Sequence, residues 1–114
     1  MNSNEHILWQ RRAALAQSYA LHCDELSALA ARHPDWPNRD ATHVQVRALM
    51  KLTAQEHAGL AALEAALRRL AQGRYGQCER CGAAIAATRL HEDPARLDCE
   101  ACAEETALAI RASH

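Results

Sequence analysis

Four of the five cysteines stand in two close pairs, and their spacing restricts the fold more than any other feature of the chain. Cys78 pairs with Cys81 and Cys99 with Cys102, which gives the pattern C-x2-C-x17-C-x2-C. Two pairs of thiolates can converge on one tetrahedral ion, and four thiolates suit zinc with no open position for water. A segment of about thirty residues buries too little surface to fold alone. The spacing therefore predicts one structural Zn²⁺, held by all four thiolates, whose binding supplies folding free energy.

Two other interpretations of these cysteines fit the residues less well. Thioredoxin-like redox chemistry uses a single C-x-x-C beside a strand and a helix, whereas this chain has two pairs. Catalytic zinc needs a ligand exchanged for water and a general base nearby, and the sequence shows neither. It also has no Gly-rich phosphate loop and no H-E-x-x-H motif. We expect no enzyme, and we expect the fifth cysteine, Cys23, to be a partly buried and inert thiol.

The first two thirds of the chain carry two heptad seams, in which apolar residues recur at alternating steps of three and four. Each seam is about four heptads long, and this 3.5-residue repeat is typical of helices that supercoil around each other. Two ordinary amphipathic helices in a bundle would use the same contacts, so this alternative stays open. The first seam runs through Leu8, Arg12, Leu15, Tyr19, His22, Leu26 and Leu29, and the second through Val46, Leu49, Thr53, Glu56, Leu60, Leu63, Leu67 and Leu70.

The segment between the seams, residues 33–40, contains Pro34 and Pro37, which stop one helix and set up the next. A short connection makes long helices antiparallel neighbours. At about 1.5 Å rise per residue, helices of about 28 residues reach roughly 40 Å, so this segment is expected to form an exposed tip. After the second seam, Gly73 suits a left-handed helix stop.

These features together predict a mainly α protein in two parts. Residues 1–73 are expected to form an antiparallel coiled-coil hairpin with its tip at residues 33–40. Residues 74–114 are expected to form a four-cysteine zinc module and a short C-terminal helix over residues 103–112. The 26 alanines, the absence of Phe and the few glycines and prolines favour long helices with thin cores over a sheet.

The net charge indicates which kinds of partner the chain can bind, and the hydropathy indicates its cellular compartment. Thirteen Lys and Arg against 14 Asp and Glu give a net charge of −1, which disfavours binding of nucleic acid by bulk charge. A zinc-ribbon nucleic-acid-binding protein remains an alternative, although residues 74–102 hold four arginines against five acids. No apolar run is as long as a membrane span, and the first residues do not resemble a signal peptide. We therefore expect a cytoplasmic protein without membrane contact.

The residues around the cysteines carry a pattern that goes beyond metal spacing. They read RYGQCERCG from Arg74 to Gly82, followed by Ile85, Arg89-Leu90, Pro94, Cys99 and Cys102. This pattern resembles the zinc finger of the DksA/TraR family of bacterial transcription regulators. Coiled-coil hairpin, exposed loop and terminal zinc module also follow in the family's order, so the resemblance covers essentially the whole chain.

The resemblance implies a partner and a mode of binding. A DksA-like protein binds RNA polymerase, not DNA, and places its coiled coil in the secondary channel so that acidic tip residues approach the active centre. The family tip reads Asp-x-x-Asp-x-Ala, and a gapless alignment on the zinc motif puts Asp35, Asn38 and Asp40 on these positions. Asn38 keeps a hydrogen-bonding carbonyl but lacks the charge of an aspartate. Trp36 and Arg39 complete the expected contact set.

The same alignment bears on ppGpp, a nucleotide that often acts together with this family. It puts Gln55, Ala62 and Ala103 where the family's well-known member has basic residues that contact ppGpp. A polyphosphate ligand needs Arg or Lys, and these three residues supply neither. We therefore expect weak or no ppGpp dependence.

Local roles for the tip residues stay open. Asn38 or Asp40 can cap the second helix, because both residue types accept hydrogen bonds from its free amides. Asp35 can be a solvated turn residue, and Trp36 can fold back on Pro34 instead of contacting a partner. The altered tip also makes an adaptor or decoy credible, a protein that occupies the channel without regulating the catalytic centre.

Overall fold

The computed structural model describes the backbone of residues 3–32 and 40–112 and the side chains of residues 4–32 and 44–112. Four helices make up most of these described residues: α1 (Ser3–Arg32), α2 (Asp40–Ala71), α3 (Ala87–Glu92) and α4 (Glu100–Ala112). The described residues contain no strand, only an isolated antiparallel bridge between Gln77 and Ala84. None of the described helices is long and apolar enough to cross a membrane. The predicted mainly α class, with two long helices before a four-cysteine module and a C-terminal helix, is confirmed.

Helix α2 ends in a Schellman motif at the predicted glycine. Gly73 has a φ of 72°, and its N–H donates to the carbonyl oxygen of Leu70 at 3.1 Å. The N–H of Arg74 donates to the carbonyl oxygen of Arg69 at 2.8 Å. These two hydrogen bonds define the motif, and glycine adopts the positive φ without a steric penalty.

Two compact units divide the chain, and each is described on its own. The hairpin unit comprises residues 10–61, of which residues 33–39 lie outside the described part. The cysteine unit combines residues 1–9 with residues 62–114. Both α1 and α2 therefore contribute residues to both units. The predicted domain boundary between residues 73 and 74 is a different division, and it stays a prediction.

In the hairpin unit, α1 and α2 pack against each other in antiparallel orientation. Leu29 of α1 forms a buried cluster with Val46 and Leu49 of α2. Earlier in α1, Ser18 instead contacts Glu56, which lies later in α2. Contacts that move backward along one helix and forward along the other are those of an antiparallel pair, as the heptad seams and the short connection predicted.

A polar layer interrupts the apolar seam of the hairpin unit. Glu56 is only 7% exposed. The hydroxyl of Ser18 donates to its Oε2 at 2.5 Å, and Nδ1 of His22 lies 2.8 Å from its Oε1. Both carboxylate oxygens thus have partners, which offsets much of the cost of burying this group. Because sliding one helix along the other would separate the partners, the layer favours one register of the hairpin.

The cysteine unit contains two sets of buried side chains. One set consists of helical residues, namely Leu8 of α1 with Leu63 and Ala66 of α2, which are 0%, 6% and 0% exposed. The other is a cluster of Cys78, Ile85 and Cys102, against which Leu90 and Cys99 pack. Two of the three buried members of this cluster are cysteines, so large apolar side chains make up little of it.

Candidate metal centre

A tight turn holds the first cysteine pair. The N–H of Gly82 donates to the carbonyl oxygen of Cys78 at 2.9 Å, and the N–H of Cys78 donates to the carbonyl oxygen of Ala83 at 2.7 Å. Gly82 has a φ of 77°, in the left-handed region that favours glycine. Because Gly82 directly follows the first pair, where the backbone must turn tightly towards the sulfur atoms, the sequence predicts a positive φ there, and this prediction is confirmed.

The second pair lies where α4 begins. Cys99 immediately precedes α4, and Cys102 lies in its first turn. The N–H of Ala103 donates to the carbonyl oxygen of Cys99 at 3.0 Å, which is a helical hydrogen bond. The sequence placed the start of this helix after Cys102, which is wrong by three residues. The helix begins at Glu100, whose negative charge is favourable at a helix N-terminus.

The four cysteines that were predicted to converge are brought together. Their Sγ atoms all lie within 4.8 Å of one another, and those of Cys81 and Cys99 are 3.7 Å apart. A tetrahedral ion with metal–sulfur bonds of about 2.3 Å requires sulfur–sulfur distances of about 3.8 Å. Cys78 and Cys102 are buried, whereas Cys81 is exposed. The spacing therefore fits one four-coordinate metal ion, with one edge of the site open to solvent.

Among the four thiols, which lie close together, the pKa of Cys78 and the pKa of Cys102 shift in opposite directions. Hydrogen bonds to the backbone of Cys99, and then of Cys81, hold the pKa of Cys78 at about 6. Hydrogen bonds to the side chains of Cys99, Cys78 and Cys81 raise the pKa of Cys102 to about 12. One thiolate is thus favoured, whereas further negative charges beside it are disfavoured unless a cation neutralises them. This donor set suits a divalent metal ion.

Two side chains other than the cysteines donate hydrogen bonds from the segment of the first cysteine pair to the segment of the second. The sequence did not predict these contacts. Nη1 of Arg80 donates to Oγ1 of Thr106 at 2.5 Å and lies 3.4 Å from the carbonyl oxygen of Cys102. The hydroxyl of Tyr75 donates to the carbonyl oxygen of Pro94 at 2.8 Å. No spacing rule marks these contacts, because most of their acceptors are backbone carbonyl groups. The sequence signal was the place of Tyr75, Arg80 and Pro94 in the family pattern.

The predicted tip lies almost entirely outside the described residues. Asp35, Trp36, Asn38 and Arg39 lie outside the described residues, and Asp40 is the first residue of α2. The expected partner contacts of these residues therefore stay predictions. Cys23 is half-buried, as expected.

Fold and site together define the class of the chain: a helical hairpin protein with a four-cysteine module that can bind a metal ion. No protein-family model matches the chain, and no curated protein matches it. The chain is similar to a solved structure, that of the transcription factor DksA2 from Pseudomonas aeruginosa, with a TM-score of 0.76 and 25% sequence identity. The similarity covers 95% of this chain and 83% of that chain. With its four-cysteine cluster, the chain is DksA/TraR-like, and the resemblance seen in the sequence is confirmed.

Proposed function

We propose that this chain is a zinc-containing transcription regulator that binds RNA polymerase through the secondary channel. The observation that carries the proposal is the similarity to the transcription factor DksA2 over 95% of the chain, combined with the four-cysteine cluster. The proposed action is by protein contact in the cytoplasm, without catalysis and without sequence-specific DNA binding.

The proposed metal is one Zn²⁺ held by Cys78, Cys81, Cys99 and Cys102. Their sulfur atoms lie at distances that suit a tetrahedral site, and four thiolates favour zinc over the oxygen-seeking ions Mg²⁺ and Ca²⁺. When bound, the ion supplies a cross-link between two segments of the chain. All four positions are then filled by cysteines, so this role is structural.

The proposed contact surface for the polymerase is the tip at residues 33–40. Asp35 and Asp40 would supply negative charge near the active centre, and Asn38 would supply an uncharged hydrogen-bonding group. Trp36 and Arg39 would make contacts around them. We further propose weak or no ppGpp dependence, because Gln55, Ala62 and Ala103 carry no positive charge.

The test is competition binding followed by transcription. The purified zinc-loaded chain should displace a known secondary-channel factor from core RNA polymerase and should change transcription from a ribosomal promoter, equally with and without ppGpp. Displacement without a change in transcription would contradict regulation and favour the decoy. Failure to displace the factor would contradict channel binding. Tight, salt-dependent binding to nucleic acid alone would favour the zinc-ribbon alternative.

A single substitution tests the role of the tip. Asn38→Asp restores an acid at the altered family position, so we expect it to strengthen the transcriptional effect about two- to fivefold while polymerase affinity changes less than twofold. This range corresponds to roughly 0.4–1 kcal/mol, which is modest for one charged contact. Gln17→Glu adds the same charge at an exposed position of α1 and serves as the control. A change in affinity with no change in transcription would show that the tip only docks.

A further inference from the structure

Arg69 connects the end of α2 to the segment that carries the first cysteine pair. It lies in the last turn of α2. Its Nη2 donates to the carbonyl oxygen of Gln77 at 2.7 Å and lies 3.3 Å from that of Arg74. Both carbonyl groups belong to the connection between α2 and Cys78, and all of these residues are in the cysteine unit.

The contact with Gln77 acts on the peptide group that leads into Cys78. The oxygen of this group accepts from Arg69, and its N–H, which belongs to Cys78, donates to the carbonyl oxygen of Ala83 at 2.7 Å. A peptide group is planar, so holding its oxygen and its N–H on opposite sides fixes the rotation of the whole plane. That rotation sets the direction in which the Cys78 side chain leaves the backbone.

The backbone of Arg69 holds the same connection from the other side. Its carbonyl oxygen accepts from the N–H of Arg74 in the Schellman motif at 2.8 Å. The positive φ of Gly73 allows the chain to turn back so that the backbone and the side chain of Arg69 can both reach it. Cys78, at the far end of this connection, is 2% exposed. A misplaced buried sulfur has little room to correct its position.

We infer that Arg69 is a positioning residue that orients Cys78 for metal binding and couples occupancy of the four-cysteine centre to the last turn of α2. The inference rests on the zinc site of the proposed function. Outer hydrogen bonds that orient metal ligands typically change metal affinity by about 10- to 100-fold when they are removed. Because Arg69 acts on the peptide group and not on the sulfur itself, we expect the lower end of that range. By linkage, metal bound to the centre stabilises the conformation in which Arg69 makes these contacts.

Arg68 provides a matched control. It is adjacent on the same helical turn and carries the same charge, so it has a similar interaction with the helix dipole. Its side chain is exposed and makes no hydrogen bond or ion pair within the described part of the chain. Arg68→Ala therefore removes one cation from the end of α2 and leaves the connection to Cys78 in place.

The test compares Arg69→Ala, Arg69→Lys and Arg68→Ala in the full chain by zinc competition with a chromophoric chelator. We expect Arg69→Ala to weaken zinc binding about tenfold and Arg68→Ala to change it less than twofold. Lys keeps the positive charge but has a shorter side chain and lacks the planar guanidinium that places Nη2 beside both carbonyl groups, so Arg69→Lys should lie between them. With Co²⁺ in place of zinc, only the Arg69 variants should show an altered visible spectrum.

Hydrogen exchange tests the coupling directly. Zinc should slow amide exchange over residues 66–72 in the wild type and in Arg68→Ala, and this effect should be lost in Arg69→Ala. Circular dichroism of the metal-free proteins shows whether the variants retain equal helix content, and Arg69→Lys keeps the test valid if Arg69→Ala does not fold. Equal zinc affinities and equal protection in Arg69→Ala and Arg68→Ala would overturn the inference. If the wild type itself binds no zinc, the zinc site of the proposed function fails instead.

Discussion

The hairpin unit and the cysteine unit both have thin apolar cores, but they compensate for this in different ways. The hairpin unit draws on one continuous stretch of chain, with Leu29, Val46 and Leu49 buried between two helices and Glu56 buried beside its partners. The cysteine unit draws on two distant stretches and places four thiols around one point. Side-chain packing and hydrogen bonds to a buried carboxylate support the first unit, whereas the second brings together four thiols that can bind a metal ion. Different conditions should therefore unfold the two units.

The largest expected effect comes from removing a proposed metal ligand. Cys78→Ser should abolish stoichiometric zinc binding and unfold residues 74–112, because structural zinc supplies about 10 kcal/mol or more of folding free energy in small modules. The hairpin unit should stay helical. Zinc content by mass spectrometry and residue-resolved hydrogen exchange measure the two effects. Cys23→Ser is the control, since Cys23 lies in the hairpin unit, and it should keep one zinc per chain. Full zinc content in Cys78→Ser would contradict the four-ligand site.

A smaller effect is expected from a substitution in the core of the hairpin unit, which should lower the stability of that unit and leave zinc binding nearly unchanged. Leu29 is 4% exposed, so Leu29→Ala leaves a cavity and should destabilise the hairpin unit by about 2–4 kcal/mol. Zinc affinity should change less than twofold. Urea unfolding and chelator competition measure these quantities. The control is Leu21→Ala, because Leu21 is 62% exposed and its removal should cost less than about 0.5 kcal/mol. A large loss of zinc affinity in Leu29→Ala would show that the two units are not separable.

The smallest expected effect is a change with pH in how much Glu56 of the polar layer stabilises the hairpin unit. The hydrogen bond from Ser18 lowers the pKa of Glu56, burial opposes it, and His22 adds to the lowering. Because the folded pKa lies below the ordinary value of 4.5, this carboxylate stabilises the fold above that pH, and its contribution is lost as pH falls through the folded pKa. The melting temperature of Glu56→Gln should therefore lie below that of the wild type at pH 7, and the gap should shrink towards pH 4.

Comparison at each pH between variants with the same metal content removes the effect of zinc loss in acid. Glu25→Gln serves as the control, because Glu25 is an exposed glutamate of the same unit, and its gap from the wild type should stay small at every pH. A gap for Glu56→Gln that is constant between pH 7 and pH 4 would contradict a role for the ionised carboxylate.

Much of the fold could be predicted because it follows from local rules. The heptad period gave both long helices, and the cysteine spacing gave the convergence of four sulfur atoms. Gly73 and Gly82 marked positions that require positive φ. Each of these signals depends on residues close together in the chain or on a fixed repeat.

The remaining features depend on long-range contacts that no local rule encodes. The heptad pattern placed His22 and Glu56 on the two seams but did not show that they lie opposite each other, 34 residues apart. The contacts of Arg69 and Arg80 depend on where backbone carbonyl groups lie after the chain has turned. The six-residue helix α3 has no side-chain N-cap, so it carried no start signal.

The division of the chain into one continuous and one discontinuous unit has a consequence for the order of events during synthesis. Residues 10–61 are all synthesised before any of residues 62–112. Leu8, which is fully buried in the finished protein, belongs to a unit whose second stretch begins at Ala62, more than fifty residues later. At about 5–20 residues per second, Cys102 follows Leu8 by roughly 5–20 s. During that interval Leu8 is without the residues from Ala62 onward that complete its unit in the folded chain.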